Sequence, residues 1–161
     1  MKAADCLWAP WRMGYILGEK EQGCIFCEKP AQKRDAANHI FLRTRRCFGI
    51  LNIYPYNNGH CMVVPYSHKK SITLLKKAER AELFETVSLV TAALREILSP
   101  EGFNIGVNEG RVAGAGIDEH AHVHIVPRWN GDTNFMPVLS HTKVMNDSLE
   151  NLYLRLKKKL S

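Results

Sequence analysis

His120-Ala121-His122-Val123-His124-Ile125-Val126 alternates histidine with apolar residues at a period of two. Side chains alternate faces along a strand. The run therefore predicts a strand with three imidazoles on one face and Ala121, Val123 and Ile125 on the other. A dry core would have to find hydrogen-bond partners for all three rings. The histidine face is thus expected to meet a ligand. Two chemistries suit it: neutral imidazole binds zinc, and imidazole can also attack phosphorus and leave again. Different residues of the run can do each.

The rest of the chain reads as the frame for that strand. His39–Arg43, Cys47–Ile53 and His60–Pro65 are short apolar segments separated by polar or turn residues, including Asn57-Asn58-Gly59, and predict antiparallel strands. From Leu83 onward, Phe84, Val87, Val90, Leu94, Ile97 and Leu98 form one stripe of helical period, stopped by Ser99-Pro100 and Gly102. Phe103–Val107 and Ala121–Pro127 predict two more strands, joined by the glycine-rich stretch Gly110–Gly116. Residues 144–160 can form a second amphipathic helix, with Leu149, Leu152, Leu156 and Leu160 near one side. The order implies an α+β domain with a mostly antiparallel sheet. With 161 residues, the whole of 1–161 is expected to be a single domain.

Residues 1–30 are rich in Trp, Pro, Gly and Cys and read as an irregular arm lying on the core or on a partner subunit. Trp8 and Trp11 would be costly to leave in water. Cys24-x-x-Cys27 can hold one ion with two thiolates, or act as a redox pair. Closed tetrahedral coordination would need two further ligands, and no thioredoxin-like strand–CxxC–helix pattern surrounds the pair. The five cysteines are an odd number, which argues against a disulfide framework.

The formal net charge of +6 favours anionic ligands, a nucleotide polyphosphate as readily as a nucleic acid. Arg155-Leu156-Lys157-Lys158-Lys159 reads as a solvated helix face ahead of an RNA or membrane contact. No apolar run approaches the ~18 residues of a membrane span, and no basic-then-apolar leader is present. A cytoplasmic protein is expected. The glycines of Asn108–Gly116, just before the histidine strand, would let backbone N–H groups approach an anion closely.

His120–Val126 resembles the histidine-triad (HIT) signature, and Asn58-Gly59-His60-Cys61-Met62-Val63-Val64-Pro65-Tyr66-Ser67-His68 resembles that family's upstream block. Leu7–Met13, Asn52–Asn57, Gly102–Asn108 and Val126–Pro137 are most similar to its bacterial diadenosine tetraphosphate phosphorylase branch. The resemblance implies a HIT-like five-stranded antiparallel sheet with one long helix and a C-terminal helix, paired into a homodimer. It also implies nucleotide substrates and a covalent nucleotidyl-histidine intermediate.

By match of position, His122 is the expected nucleophile, its other ring nitrogen donating to the carbonyl of His120. His124 and His60 would face the scissile phosphate. Asn52 matches the ribose contact and Asn108 the α-phosphate contact. The chain carries one residue more than the common hydrolase pattern between Asn108 and His120, with Ala115-Gly116 where many relatives place polar side chains. Backbone N–H groups near Gly114 and Gly116 would take over there. Arg128 would add charge at the strand end or form an outer salt bridge, and Trp129 would stack on a base or cover a dimer core.

Related zinc-containing nucleotidyl transferases imply structural zinc on Cys24, Cys27, His68 and His120, pinning the arm to the histidine strand, with no organic cofactor. The implied reaction is phosphorolysis of diadenosine tetraphosphate to ADP and ATP, with inorganic phosphate as acceptor. Alternatives are hydrolysis to AMP and ATP, cleavage of nucleoside phosphoramidates or adenylyl adducts, and transfer between a hexose phosphate and a uridine nucleotide. A nucleotide- or RNA-binding regulator without turnover is the non-enzymatic one. No membrane or nucleic-acid partner is expected for the enzyme.

Overall fold

The computed structural model describes residues 23–132, 145 and 147–161. The expectations for Trp8, Trp11 and the rest of 1–22, and for 133–137, lie outside the described residues. Five strands form one antiparallel sheet: β1 (Ile40–Arg43), β2 (Cys47–Leu51), β3 (Cys61–Pro65), β4 (Gly102–Gly106) and β5 (Val123–Arg128), in the spatial order β1-β2-β3-β5-β4. Among the described residues three helices accompany them: α1 (Ile25–Ala31), α2 (Lys77–Leu98) and α3 (Leu149–Leu160). The α+β HIT-like sheet expected from the sequence is the observed fold, with strand ends moved by one or two residues. None of the described helices is long and apolar enough to cross a membrane.

Burial on both faces explains why β2 and β3 read as continuous apolar runs. One face carries Phe41, Cys47, Leu51, Cys61, Val63, Val123 and Ile125 against Leu83, Val87, Val90 and Leu94 of α2 and Leu152 and Leu156 of α3. On the opposite face, Ile40, Phe48, Ile50, Met62 and Val64 pack around Phe26 of α1. Val123 and Ile125 thus face the helices. The alternation of the strand turns His122 and His124 toward α1.

Three boundaries differ from the sequence reading. The long helix starts at Lys77, ahead of its apolar stripe, because its first turn is held by polar contacts. The Glu79 carboxylate accepts the Lys76 backbone N–H at 2.7 Å and complements the N-terminal dipole. The helix stops at Ser99, whose φ of 48° is left-handed, just before Pro100. Phe84, a member of the apolar stripe, is 49% exposed. The C-terminal helix begins at Leu149, where Ser148 caps it by accepting the Asn151 N–H at 3.1 Å, and not at residue 144. The third difference is α1. It lies within the stretch read as an irregular arm, and Phe26 anchors it at 1% exposure.

Candidate active site and metal centre

β5 begins at Val123, so His120 and His122 occupy the segment leading into it and not the ladder itself. They nonetheless share a face with His124. The Phe26 ring centroid lies 5.5 Å from that of His120 and 4.9 Å from that of His122, and the His122 and His124 rings are 4.7 Å apart.

His122 is 4% exposed, and its Nδ1 lies 2.8 Å from the His120 carbonyl oxygen. A carbonyl can only accept, so Nδ1 carries the hydrogen and Nε2 keeps a free lone pair. Burial lowers the His122 pKa, opposed by the carbonyl contact, so the ring stays neutral at pH 7.

His60, 1% exposed, sits beside this pair with Nε2 2.9 Å from His124 Nδ1. Its Nδ1 accepts the Tyr56 backbone N–H at 3.0 Å. An Nδ1 that accepts places the His60 hydrogen on Nε2, which donates to His124 Nδ1. His124 in turn must present Nε2–H outward. The Tyr56 ring covers His60 at a centroid distance of 4.4 Å.

The turn into His60 needs glycine at position 59. Gly59 has a φ of +79°, and a Cβ there would come within 2.5 Å of Leu98 and 2.8 Å of Pro127. Asn52 joins the cluster, its Nδ2 3.3 Å from His60 Nδ1 and its Oδ1 accepting the Tyr54 N–H at 2.9 Å.

The glycine-rich loop follows β4. The β4–β5 ladder runs from Gly102↔Arg128 to Gly106↔His124. Continued in the same register, Asn108 would stand opposite His122, but the ladder is open there. Gly110 and Gly114 turn the chain at φ of 79° and 86°. Gly114 N–H donates to Arg111 O at 2.9 Å, so that amide closes the loop on itself and is not a spare anion donor as expected. Gly116 lies half-buried further along the loop.

Arg128 is not brought to the histidines. It ends β5, six residues and about 20 Å of extended chain from His122. Its guanidinium is held by Asp132 at 2.6 and 3.0 Å and by Asn104 at 2.7 Å. Of the two sequence readings, the outer salt bridge is the one observed. Asp132 also accepts from Asn57 Nδ2 at 2.8 Å, fixing the loop that carries His60. The sequence reading missed Tyr56, Asn57 and Asp132 as supports of the site. All three fell in blocks that carry the family resemblance, Tyr56 and Asn57 in Asn52–Asn57 and Asp132 in Val126–Pro137, which is the signal that could have found them.

The other end of the histidine run meets α1. The ligand atoms of Cys24, Cys27, His68 and His120 all lie within 4.8 Å of one another. The closest approaches are Cys24 Sγ to His120 Nδ1 at 3.2 Å, Cys27 Sγ to His68 Nδ1 at 3.4 Å, and Cys27 Sγ to His120 Nδ1 at 3.7 Å. Zinc–sulfur bonds of ~2.3 Å and zinc–nitrogen bonds of ~2.05 Å at a tetrahedral angle give a sulfur–nitrogen edge of about 3.5 Å.

The four residues therefore fit a zinc ion in both size and chemistry. Outside them, His120 Nε2 donates to Pro65 O at 2.8 Å, leaving Nδ1 as the metal-facing nitrogen. Burial and the neighbouring Cys24 push the Cys27 thiol up to about 11, a cost that a divalent cation between the sulfurs would reverse.

A five-stranded antiparallel sheet presenting this cluster of histidines defines a histidine-triad protein. The chain belongs to the HIT domain family, whose sequence profile matches residues 33–131. It is 36% identical over 154 residues to the AP-4-A phosphorylase of Mycobacterium tuberculosis, covering 90% of this chain and 78% of that one. The asymmetrical bis(5'-nucleosyl)-tetraphosphatase of Schizosaccharomyces pombe is 30% identical over 123 residues, 76% of this chain and 67% of that one. Among solved structures, a Zn-bound histidine triad family protein from Mycobacterium smegmatis superposes with a TM-score of 0.69. It has 28% identity and covers 86% of this chain and 93% of that one. The chain is an enzyme of the HIT family.

Proposed function

We propose that the chain cleaves dinucleoside polyphosphates by two nucleotidyl transfers through His122, with inorganic phosphate as the final acceptor. The observation that carries the reading is the 2.8 Å bond from His122 Nδ1 to the His120 carbonyl, which leaves Nε2 as a neutral nucleophile.

In the first step, Nε2 forms a bond to the α-phosphorus of diadenosine tetraphosphate and the bond to the bridging oxygen breaks. ATP leaves, and His122 holds the adenylyl group. His124, with His60 behind it, donates to the developing charge. In the second step, an oxygen of inorganic phosphate attacks the same phosphorus, ADP forms, and His122 is released. Asn52 contacts the ribose, while Asn108 and the loop through Gly116 face the α-phosphate. Zinc, when held by Cys24, Cys27, His68 and His120, supplies a cross-link that fixes α1 against the histidine strand.

The likeness to AP-4-A phosphorylase supports phosphate as acceptor. Water in its place would give AMP and ATP, a second reading supported by the likeness to the yeast tetraphosphatase. The enzyme works in the cytoplasm as a homodimer. Edge strand β4, with Ile105 46% exposed, and the outer face of α2, with Phe84 and Leu89 each 49% exposed, support that pairing.

Product analysis with diadenosine tetraphosphate, with and without inorganic phosphate, tests the reading. ADP plus ATP formed only with phosphate is expected. AMP plus ATP in both tubes would replace phosphorolysis by hydrolysis, and no turnover in either would overturn nucleotidyl transfer from this substrate.

A further inference from the structure

The open end of the β4–β5 ladder needs something to hold it in shape. Past Gly106↔His124 no backbone pairing fixes Asn108 relative to His122, although the two must keep one spacing for both to reach a single phosphate. The structure supplies a detour through a third segment, Lys69–Ile72. At one end the Lys69 carbonyl accepts the N–H of Ala121, the residue between His120 and His122, at 2.6 Å. At the other end the Glu109 carboxylate accepts from Ser71 Oγ at 3.0 Å and from the Ile72 N–H at 2.9 Å.

The Ile72 amide opens a short 3-10 turn, Ile72–Leu74, and has no partner within it, so a carboxylate is the acceptor suited to it. Ser71 is itself held, because its Oγ accepts the Thr73 N–H at 3.1 Å. Beyond Glu109, Arg111 pairs with Asp118 at 2.7 Å across the mouth of the loop. The loop is thus closed on itself, and Glu109 is the side chain that ties its entrance to the segment holding the histidine strand.

We propose that Glu109 is a positioning residue, setting the gap between Asn108 and His122 in which the α-phosphate is held. The proposal rests on the nucleotidyl-transfer reading of the site. Glu109 is solvent-exposed and packs in no core, so its replacement leaves the fold intact.

Hydrogen exchange across residues 108–116 in the wild type, Glu109→Ala and Glu109→Gln, with AMP affinity by calorimetry, tests it without requiring turnover. In Glu109→Ala, exchange in the loop is expected to rise about tenfold and AMP affinity to fall about three- to tenfold. Glu109→Gln, which keeps an acceptor oxygen, is expected to recover most of both. Where diadenosine tetraphosphate is turned over, KM should rise more than kcat falls. Loop exchange and AMP affinity unchanged in Glu109→Ala would overturn the proposal whatever the turnover. A wild type without turnover whose Glu109→Ala variant still loosens the loop would overturn the proposed reaction and leave the role of Glu109 standing.

Discussion

His60 Nε2 lies 2.9 Å from His124 Nδ1, and the direction of that hydrogen bond is set by a backbone amide at His60 Nδ1, with Asn52 Nδ2 3.3 Å from the same nitrogen. The Tyr56 N–H reaches His60 Nδ1 at 3.0 Å. It forces the His60 hydrogen onto Nε2 and, through the shared bond, the His124 hydrogen onto Nε2 as well. Next to a His122 that offers a lone pair at the corresponding nitrogen, the site presents one nucleophile and one donor in adjacent rings.

Two histidines working through one bond should fail together. His124→Ala is expected to lower kcat by about 10²- to 10⁴-fold. His60→Ala should fall in the same direction, because His124 then loses the hydrogen bond that orders its tautomer. The double variant should be little worse than the poorer single one. His122→Ala should abolish turnover and the acid-labile nucleotidyl adduct together. Single-turnover kinetics on the four variants decide the matter. Effects of His60→Ala and His124→Ala that multiply in the double variant would show two independent groups.

The floor of the site depends on an ion pair outside the histidine cluster. Arg43 of β1 holds Asp35 at 2.7 Å and also donates to the Pro30 carbonyl at the end of α1 at 2.9 Å. Phe26, Cys24 and Cys27 ride on or beside that helix. The hydrogen bond from Arg43 holds the Asp35 carboxyl below its usual range, against the opposing effect of burial. A lowered folded-state pKa stabilises the fold above the unfolded value of about 4, and that contribution is lost as pH falls through the folded value. Asp35→Asn is therefore expected to cost about 0.5–1 kcal/mol at pH 7, the pair being about a third exposed, and less at pH 2. Urea denaturation of both proteins at the two pH values measures it. An equal cost at both would mean that packing, not charge, is responsible.

Much of this architecture is legible in the chain itself. The histidine run shows its two faces because every second residue is apolar, and β2 and β3 show as strands because nothing polar interrupts them. The helix α1 was hidden for a physical reason. It is only seven residues long with Pro30 inside, so no periodicity can declare it, and it stands on the burial of Phe26 and the grip of Arg43. The start of α2 was hidden because Lys77–Glu82 carries no apolar stripe. Arg128 could be read either way until Asp132 and Asn104 were seen to claim it. The Tyr56 amide belongs to the backbone, which leaves no mark in residue identity. The metal quartet joins a helix, a loop after β3 and the approach to β5, so only the resemblance to zinc-containing relatives could gather it beforehand.

That quartet carries the last prediction. His120 faces two ways. Its ring points at the cysteines, 3.2 Å from Cys24 Sγ, while its carbonyl holds His122 Nδ1 at 2.8 Å. An ion bound there would fix both the helix that floors the site and the residue that orients the nucleophile. The purified protein is expected to contain about one zinc per chain, and cobalt in its place should show the visible bands of tetrahedral thiolate coordination. Cys27→Ser, or removal of the metal by a strong chelator, should cost about 2–4 kcal/mol and lower Tm by roughly 5–15 °C. Turnover should drop about 10- to 100-fold, the scale expected when a support of the site is lost and not a reacting group. Because His68 is exposed and bears on the cluster alone, His68→Ala separates metal loss from core damage. It should lower zinc content and Tm together, and restoring metal at high concentration should recover part of both. A protein that purifies without zinc, gains no stability when zinc is added and loses none in Cys27→Ser would show that the four residues are packed together without an ion.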